Sequence, residues 1–158
     1  MSKPGAAAPP LKLLSYVDYS TRRSTFKDQS GVSAGDIIDG SCGQHTLSIN
    51  LKALPLRVRA LYLTLSAWMT AKLDDIDQPF VGVQDPAAWQ ELCTLQLDDV
   101  PEAQRRQHTS VVMLKIFRGA APGQWEIEAV GQLGQGCAGN YGPMDEWITS
   151  SLVPSSRR

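Results

Sequence analysis

Apolar and polar residues alternate with a period of two through most of this chain, which is the pattern of strands with one buried face. In His45–Leu51, Leu47, Ile49 and Leu51 fall on one face, and Thr46, Ser48 and Asn50 on the other. Leu54-Pro55 then breaks the run. Ala60–Trp68 sets Leu61, Leu63, Leu65 and Ala67 against Tyr62, Thr64, Ser66 and Trp68. Val111–Phe117 is apolar on both faces, which predicts a central strand. Trp125–Gly131 alternates Trp125, Ile127 and Ala129 with Glu126 and Glu128. Turn-forming residues over Arg118–Gln124 join these last two as a hairpin. Leu13–Tyr19, Pro79–Gln84 and Glu91–Leu97 are weaker strands. The predicted core is Leu47, Ile49, Leu61, Leu63, Leu65, Val112, Leu114, Ile116, Trp125, Ile127 and Ala129. Several short strands separated by turns predict an all-β fold, a sandwich or barrel.

Helical signals are sparse. Val100–His108 predicts a short turn with Pro101 at its first position. Pro143–Leu152 predicts a short C-terminal helix, with Asp145 and Glu146 at its positive end and Met144, Ile148 and Leu152 forming one stripe. Before it, Gly131, Gly134, Gly136, Gly139 and Gly142 crowd one stretch. Gly134, Gly136 and Gly139 match the G-x-G-x-x-G spacing, but no second strand follows to complete a parallel unit. The stretch therefore reads as a strand-to-helix link.

The 158 residues carry 15 Lys plus Arg against 16 Asp plus Glu, a net charge of −1. That balance excludes the broad basic surface of a nucleic-acid binder. Arg22-Arg23 and Arg105-Arg106 read as isolated, solvated doublets. Hydrophobic content of 42% and charged content of 20% fit a globular domain. No apolar run is long enough for a transmembrane helix. Met1–Pro10 lacks the order of a secretory signal, so the chain is expected to be cytoplasmic. Residues 1–10 read as a flexible lead-in, 11–150 as one domain and 151–158 as a tail. Cys42, Cys93 and Cys137 form no C-x-x-C pair and are expected to be reduced thiols.

Candidate chemistry is thin. Asp74, Asp75 and Asp77 crowd one segment but lack the rest of an EF-hand loop, and read as a solvated acidic loop. Gly35–Gly43 reads as a second loop, carrying Asp36 and Asp39. Asp98 and Asp99 follow a strand end. Cys42 with His45, and the distant His108, are the material for a nucleophile and base, but no nucleophile elbow exists. The chain is expected not to be an enzyme. An unrecognised hydrolase is the alternative from that class.

In order, these strands resemble the TerD (tellurite-resistance, stress-response) family. Ile49–Ser66 is similar to its strand, turn and apolar strand. Pro79–Asp85 with Glu91–Asp99 is similar to a hairpin of the family. Val111–Arg118, then Gly123-Gln-Trp-Glu-Ile-Glu-Ala-Val-Gly131, resembles its last hairpin, and Gly134–Gly139 its glycine-rich run. The likeness spans roughly Leu13–Gly142.

The resemblance implies a β-sandwich that binds calcium through acidic loops and works in stress-response assemblies. At the place of the family's main acidic loop stands Ser33–His45, with Asp36 and Asp39 its acids and Gln44 and His45 where the family pairs carboxylates. The implied metal site is thus a weak calcium site using Asp36, Asp39 and Asp98. The family's first strands have no counterpart here. Leu11–Tyr19 fills the gap, the chain self-associates through exposed sheet edges, or a protein partner supplies strands. The expected function is a non-enzymatic binding or scaffold domain. The alternative is a structural subunit of a larger assembly without metal.

Overall fold

The computed structural model describes residues 12–18, 21, 31–39, 42–137 and 139–151, with the backbone alone for 31–39, 42 and 151. Met1–Pro10, Arg22-Arg23 and residues 152–158 lie outside the described residues. Among the described residues, seven strands form three antiparallel sheets. They are β1 (Gly31–Asp39), β2 (Cys42–Ile49), β3 (Ala60–Ser66), β4 (Phe80–Asp85), β5 (Gln90–Gln96), β6 (Ser110–Arg118) and β7 (Trp125–Gly134). Two helices, α1 (Glu102–Arg105) and α2 (Gly142–Ser151), complete the regular elements of the described residues, with single 3₁₀ turns at Leu51–Ala53, Leu73–Asp75 and Leu97–Asp99. The β-rich reading holds.

The largest sheet runs in the order β3-β6-β7. β6 is central, as its two apolar faces predict, and Ser110–Leu114 is buried throughout. The pairing is interrupted once on each side of β6. Leu63 pairs with Leu114 but Thr64 with Val112, so Met113 is an extra residue in β6. On the other side Val112 pairs with Gln132 and Leu114 with Ala129, which leaves Val130 and Gly131 facing Met113. Gly131 meets this with φ +65, the left-handed conformation that glycine adopts without penalty.

Leu73, Leu97, Val111, Met113 and Leu114 make the central cluster. Leu63, Leu65 and Leu133 of the three-stranded sheet pack on it, and so do Val81, Val83, Cys93 and Leu95 of the β4–β5 hairpin. Alternate hairpin residues thus face the sheet, and the others face solvent. Burying each such Leu or Val contributes about 1.5–3 kcal/mol.

Several expectations change. Gly35–Gly43 is not a loop: β1 pairs with β2 from Gly31↔Ile49 to Asp39↔Cys42. Two residues, Gly40-Ser41, lie between those strands in the sequence, and a Gly-Ser pair between strands is a hairpin signal. Leu47 is exposed rather than core. Among the described residues β2 pairs with β1 alone, and no other element packs broadly on that hairpin. Ala129 is exposed too, although it lies on the same face as the half-buried Trp125 and Ile127. Residues 12–18 form no strand; this stretch instead docks through Tyr16, whose ring lies 4.9 Å from that of Tyr141. Tyr141 also donates a short hydrogen bond to Asp18. The turn over Val100–His108 contracts to α1, with Pro101 as its N-cap rather than its first residue.

Candidate functional site

The tripeptide Leu-Asp-Asp occurs twice, at 73–75 and 97–99, and makes a 3₁₀ turn each time. Each leucine is fully buried, and each turn closes by a bond from the following residue, Ile76 N–H or Val100 N–H, back to the leucine carbonyl. The leucine anchors the turn in the core and leaves its two carboxylates near the surface. Arg105 and Arg106 then hold the two turns. Arg105 meets Asp98 at 3.3 Å, and Arg106 meets Asp74 at 3.1 Å. Arg106 also pairs with Glu102 one turn back. The carboxylates of Asp74 and Glu102 raise the Arg106 pKa further above its ordinary range.

These contacts correct two sequence readings. The arginine doublet is not simply solvated, since the Arg105 side chain is only 14% exposed. The Asp74–Asp77 segment is not a free acidic loop either. Asp74 is ion-paired, and Asp75 accepts a hydrogen bond from the Lys72 N–H at 2.7 Å.

Of the predicted calcium ligands, Asp98 is exposed in the second turn, with Oδ1 against the Arg105 guanidinium. Asp36 and Asp39 fall on β1, opposite His45 and Cys42. Among the described residues, no group of three or more His, Cys, Asp or Glu stands close enough to hold a metal ion. The glycine stretch joins β7 to α2 and serves packing. Gly136 has φ +130, and a Cβ there would stand 3.2 Å from Met144 Cε. Cys93 and Cys137 are free thiols.

The outer surface of the β4–β5 hairpin is the feature that sequence reasoning missed. Phe80 is 69% exposed, Leu92 51% and Trp89, at the turn, 85%. Trp89 has φ +52, a conformation that costs a residue with a side chain roughly 1–2 kcal/mol. The turn is fixed at its other side by a bond from Ala87 N–H to Asp85 Oδ1 at 2.9 Å. The alternation Phe80, Gly82, Gln84 against Val81, Val83, Asp85 carried the signal, because its outward set is headed by an aromatic residue. Beside the hairpin base lies a groove of about 490 Å³ lined by Gln78, Pro79, Phe80, Gln96 and Asp98. A hollow of about 300 Å³ is lined by Leu13, Leu14, Ser15, Tyr16 and Thr21.

No protein-family model matches the chain, and no curated protein matches it. No described helix is long and apolar enough to cross a membrane.

Proposed function

We propose that this chain is a non-enzymatic binding or scaffold domain on a TerD-like sandwich, and that its interaction surface is the outer side of the β4–β5 hairpin. One observation carries the reading: the hairpin packs Val81, Val83, Cys93 and Leu95 towards the core and leaves Phe80, Leu92 and, in its turn, Trp89 exposed. An exposed tryptophan is among the side chains that most often anchor protein interfaces. Trp89 is held out at the cost of backbone strain, and strain of that kind concentrates at functional positions. Antiparallel sheets packed through the central cluster support the sandwich part of the reading. A role in stress response and a weak calcium site at Asp36, Asp39 and Asp98 come with the family resemblance.

The experiment is affinity capture with the wild-type chain and with a Trp89→Ser, Leu92→Ser variant, each with and without calcium, read by mass spectrometry. The reading expects a protein that the wild type retains and the variant loses. Identical captured sets from the two folded proteins would overturn it. Capture that depends on calcium would support the metal site, and capture indifferent to calcium would favour a structural subunit without metal.

A further inference from the structure

We infer that the partner received by the β4–β5 turn is a second copy of this chain, which docks there through its connection between β2 and β3. The inference rests on reading the hairpin as an interaction surface, and it names the occupant.

Charge is segregated along the chain. Residues 40–72 contain Lys52, Arg57, Arg59 and Lys72 and no Asp or Glu. Residues 73–104 contain eight Asp and Glu and no Lys or Arg. Arg105 and Arg106 engage only Asp98, Asp74 and Glu102 of these acids. Asp77, Glu91 and Asp99 are exposed and form no ion pair among the described residues. The net charge of −1 thus conceals two opposed regions.

Each region carries an exposed apolar side chain on a fixed turn. In the basic region, the Val58 N–H bonds the Pro55 carbonyl at 2.9 Å, which sets Leu56 and Arg57 at the centre of a turn. Leu54 and Val58 are buried on either side, while Leu56 is 81% exposed. Lys52, Arg57 and Arg59 are exposed along the same connection. Arg118 bonds the Leu54, Pro55 and Val58 carbonyls, so the turn is held from behind by the end of β6. In the acidic region, Trp89 is 85% exposed in the hairpin turn, and Glu91 and Leu92, also exposed, follow it. Asp85 braces that turn through the Ala87 N–H.

The two turns are opposite in charge and alike in their apolar tips. Neither covers the other within one chain, because Leu56 and Trp89 both stand in solvent. Between two copies, Leu56 meets Trp89 and Leu92, and the arginines of one copy meet Glu91 and the indole of the other. A guanidinium suits both, since it pairs with a carboxylate and stacks on an aromatic ring. Both turns are braced before contact, which lowers the entropy lost on docking. An unrelated acidic protein would suit the basic turn alone, and an unrelated basic one the hairpin alone. A second copy satisfies both in one contact. Near-neutrality means that copies repel each other little, and the opposed regions orient their approach. The surfaces that meet differ, so the contact is heterologous and further copies add head to tail.

The test is sedimentation velocity of the full chain over a concentration series. The wild type is expected to self-associate at low salt. Association should weaken about tenfold as salt rises from about 0.1 M to about 1 M, which cuts the screening length from roughly 10 to 3 Å. Arg57→Glu with Arg59→Glu, and separately Trp89→Ser with Glu91→Lys, should each be monomeric, because each has lost one half of the contact. Mixed in equal amounts, the two should form a dimer that does not grow, since each keeps the half that the other lacks. Circular dichroism checks that both are folded, and the wild-type series stands even where a variant is not. A wild type that is monomeric throughout, association indifferent to salt, a folded variant that associates as the wild type does, or a folded mixture that stays monomeric would each overturn the inference. If the chain is monomeric while Trp89→Ser, Leu92→Ser still loses a captured protein of another sequence, the second copy alone falls. If that variant changes neither capture nor self-association, the reading of the hairpin as an interaction surface falls with it.

Discussion

The Arg118 guanidinium lies 4.4 Å above the ring of Trp125, across the mouth of the β6–β7 hairpin. From there it donates to three carbonyls of the preceding turn: Val58 at 2.9 Å, Leu54 at 3.0 Å and Pro55 at 3.1 Å. One side chain therefore fastens the 54–58 connection to the end of the central strand. Only a planar fork with several donors satisfies three carbonyls while stacking on an indole. Arg118→Lys keeps the charge and loses the fork. It should destabilise the chain by about 1–3 kcal/mol in urea unfolding, because carbonyls near the buried Leu54 and Val58 lose their donors. A loss no larger than that of an ordinary surface substitution would contradict this role.

Ser110 opens β6 fully buried, and its Oγ has no hydrogen-bond partner among the described residues. The adjacent Thr109 hydroxyl is fully used, accepting from Gly136 N–H at 3.0 Å and donating towards the Gly136 carbonyl. Ser110→Ala removes an unsatisfied polar group without adding volume, and should raise stability by roughly 1 kcal/mol. A melting temperature that falls instead would mean that the hydroxyl has a partner.

Two glycines separate conformation from packing. Gly123 has φ +79 with open space around it, whereas Gly136 has φ +130 and faces Met144 and the Asn140 carbonyl. Gly123→Ala should cost about 1–2 kcal/mol, from the left-handed backbone alone. Gly136→Ala should cost more, since Met144 is buried and must shift as well. Unfolding curves of the two variants give the comparison, and equal losses would contradict the packing role.

The Tyr62 phenol is pushed up to about 12, first by burial and then by the negative charge of Glu128. Its folded pKa lies above the unfolded value near 10, so the folded chain holds the proton more tightly. That contribution is fully present below pH 10 and is lost as pH rises towards 12. Wild-type stability should fall more steeply than that of Tyr62→Phe over this window. Ultraviolet titration of Glu128→Gln should find the phenol ionising at lower pH than in the wild type.

The strands that were legible in the sequence are those whose two faces differ. Leu61, Leu63 and Leu65 announce β3, and the two-faced apolar run of β6 announces its central place. β1 stayed hidden because glycine and aspartate punctuate it, although Gly40-Ser41 carries a hairpin signal. Leu73 and Leu97 could not be found by period, because each belongs to a single 3₁₀ turn and is buried by distant strands. Ala129 keeps the alternation of Trp125 and Ile127 but is exposed, which the period alone does not encode. For the site, Asp98 was visible as an acid after a strand. Its engagement by Arg105 depends on a turn and a helix folding together, which no local pattern encodes. The bare ring of Phe80 was hidden for a similar reason: alternation gives two faces but does not say which one meets the core.

The central claim is that the outer side of the β4–β5 hairpin is where a partner binds. Hydrogen exchange of the chain, alone and with the protein it captures, tests this most directly. The account predicts new protection over Phe80–Gln96, extending to Asp98, with the β6 core unchanged. Protection confined to the β1–β2 hairpin or to α2, with Phe80–Gln96 exchanging as in the free chain, would contradict it.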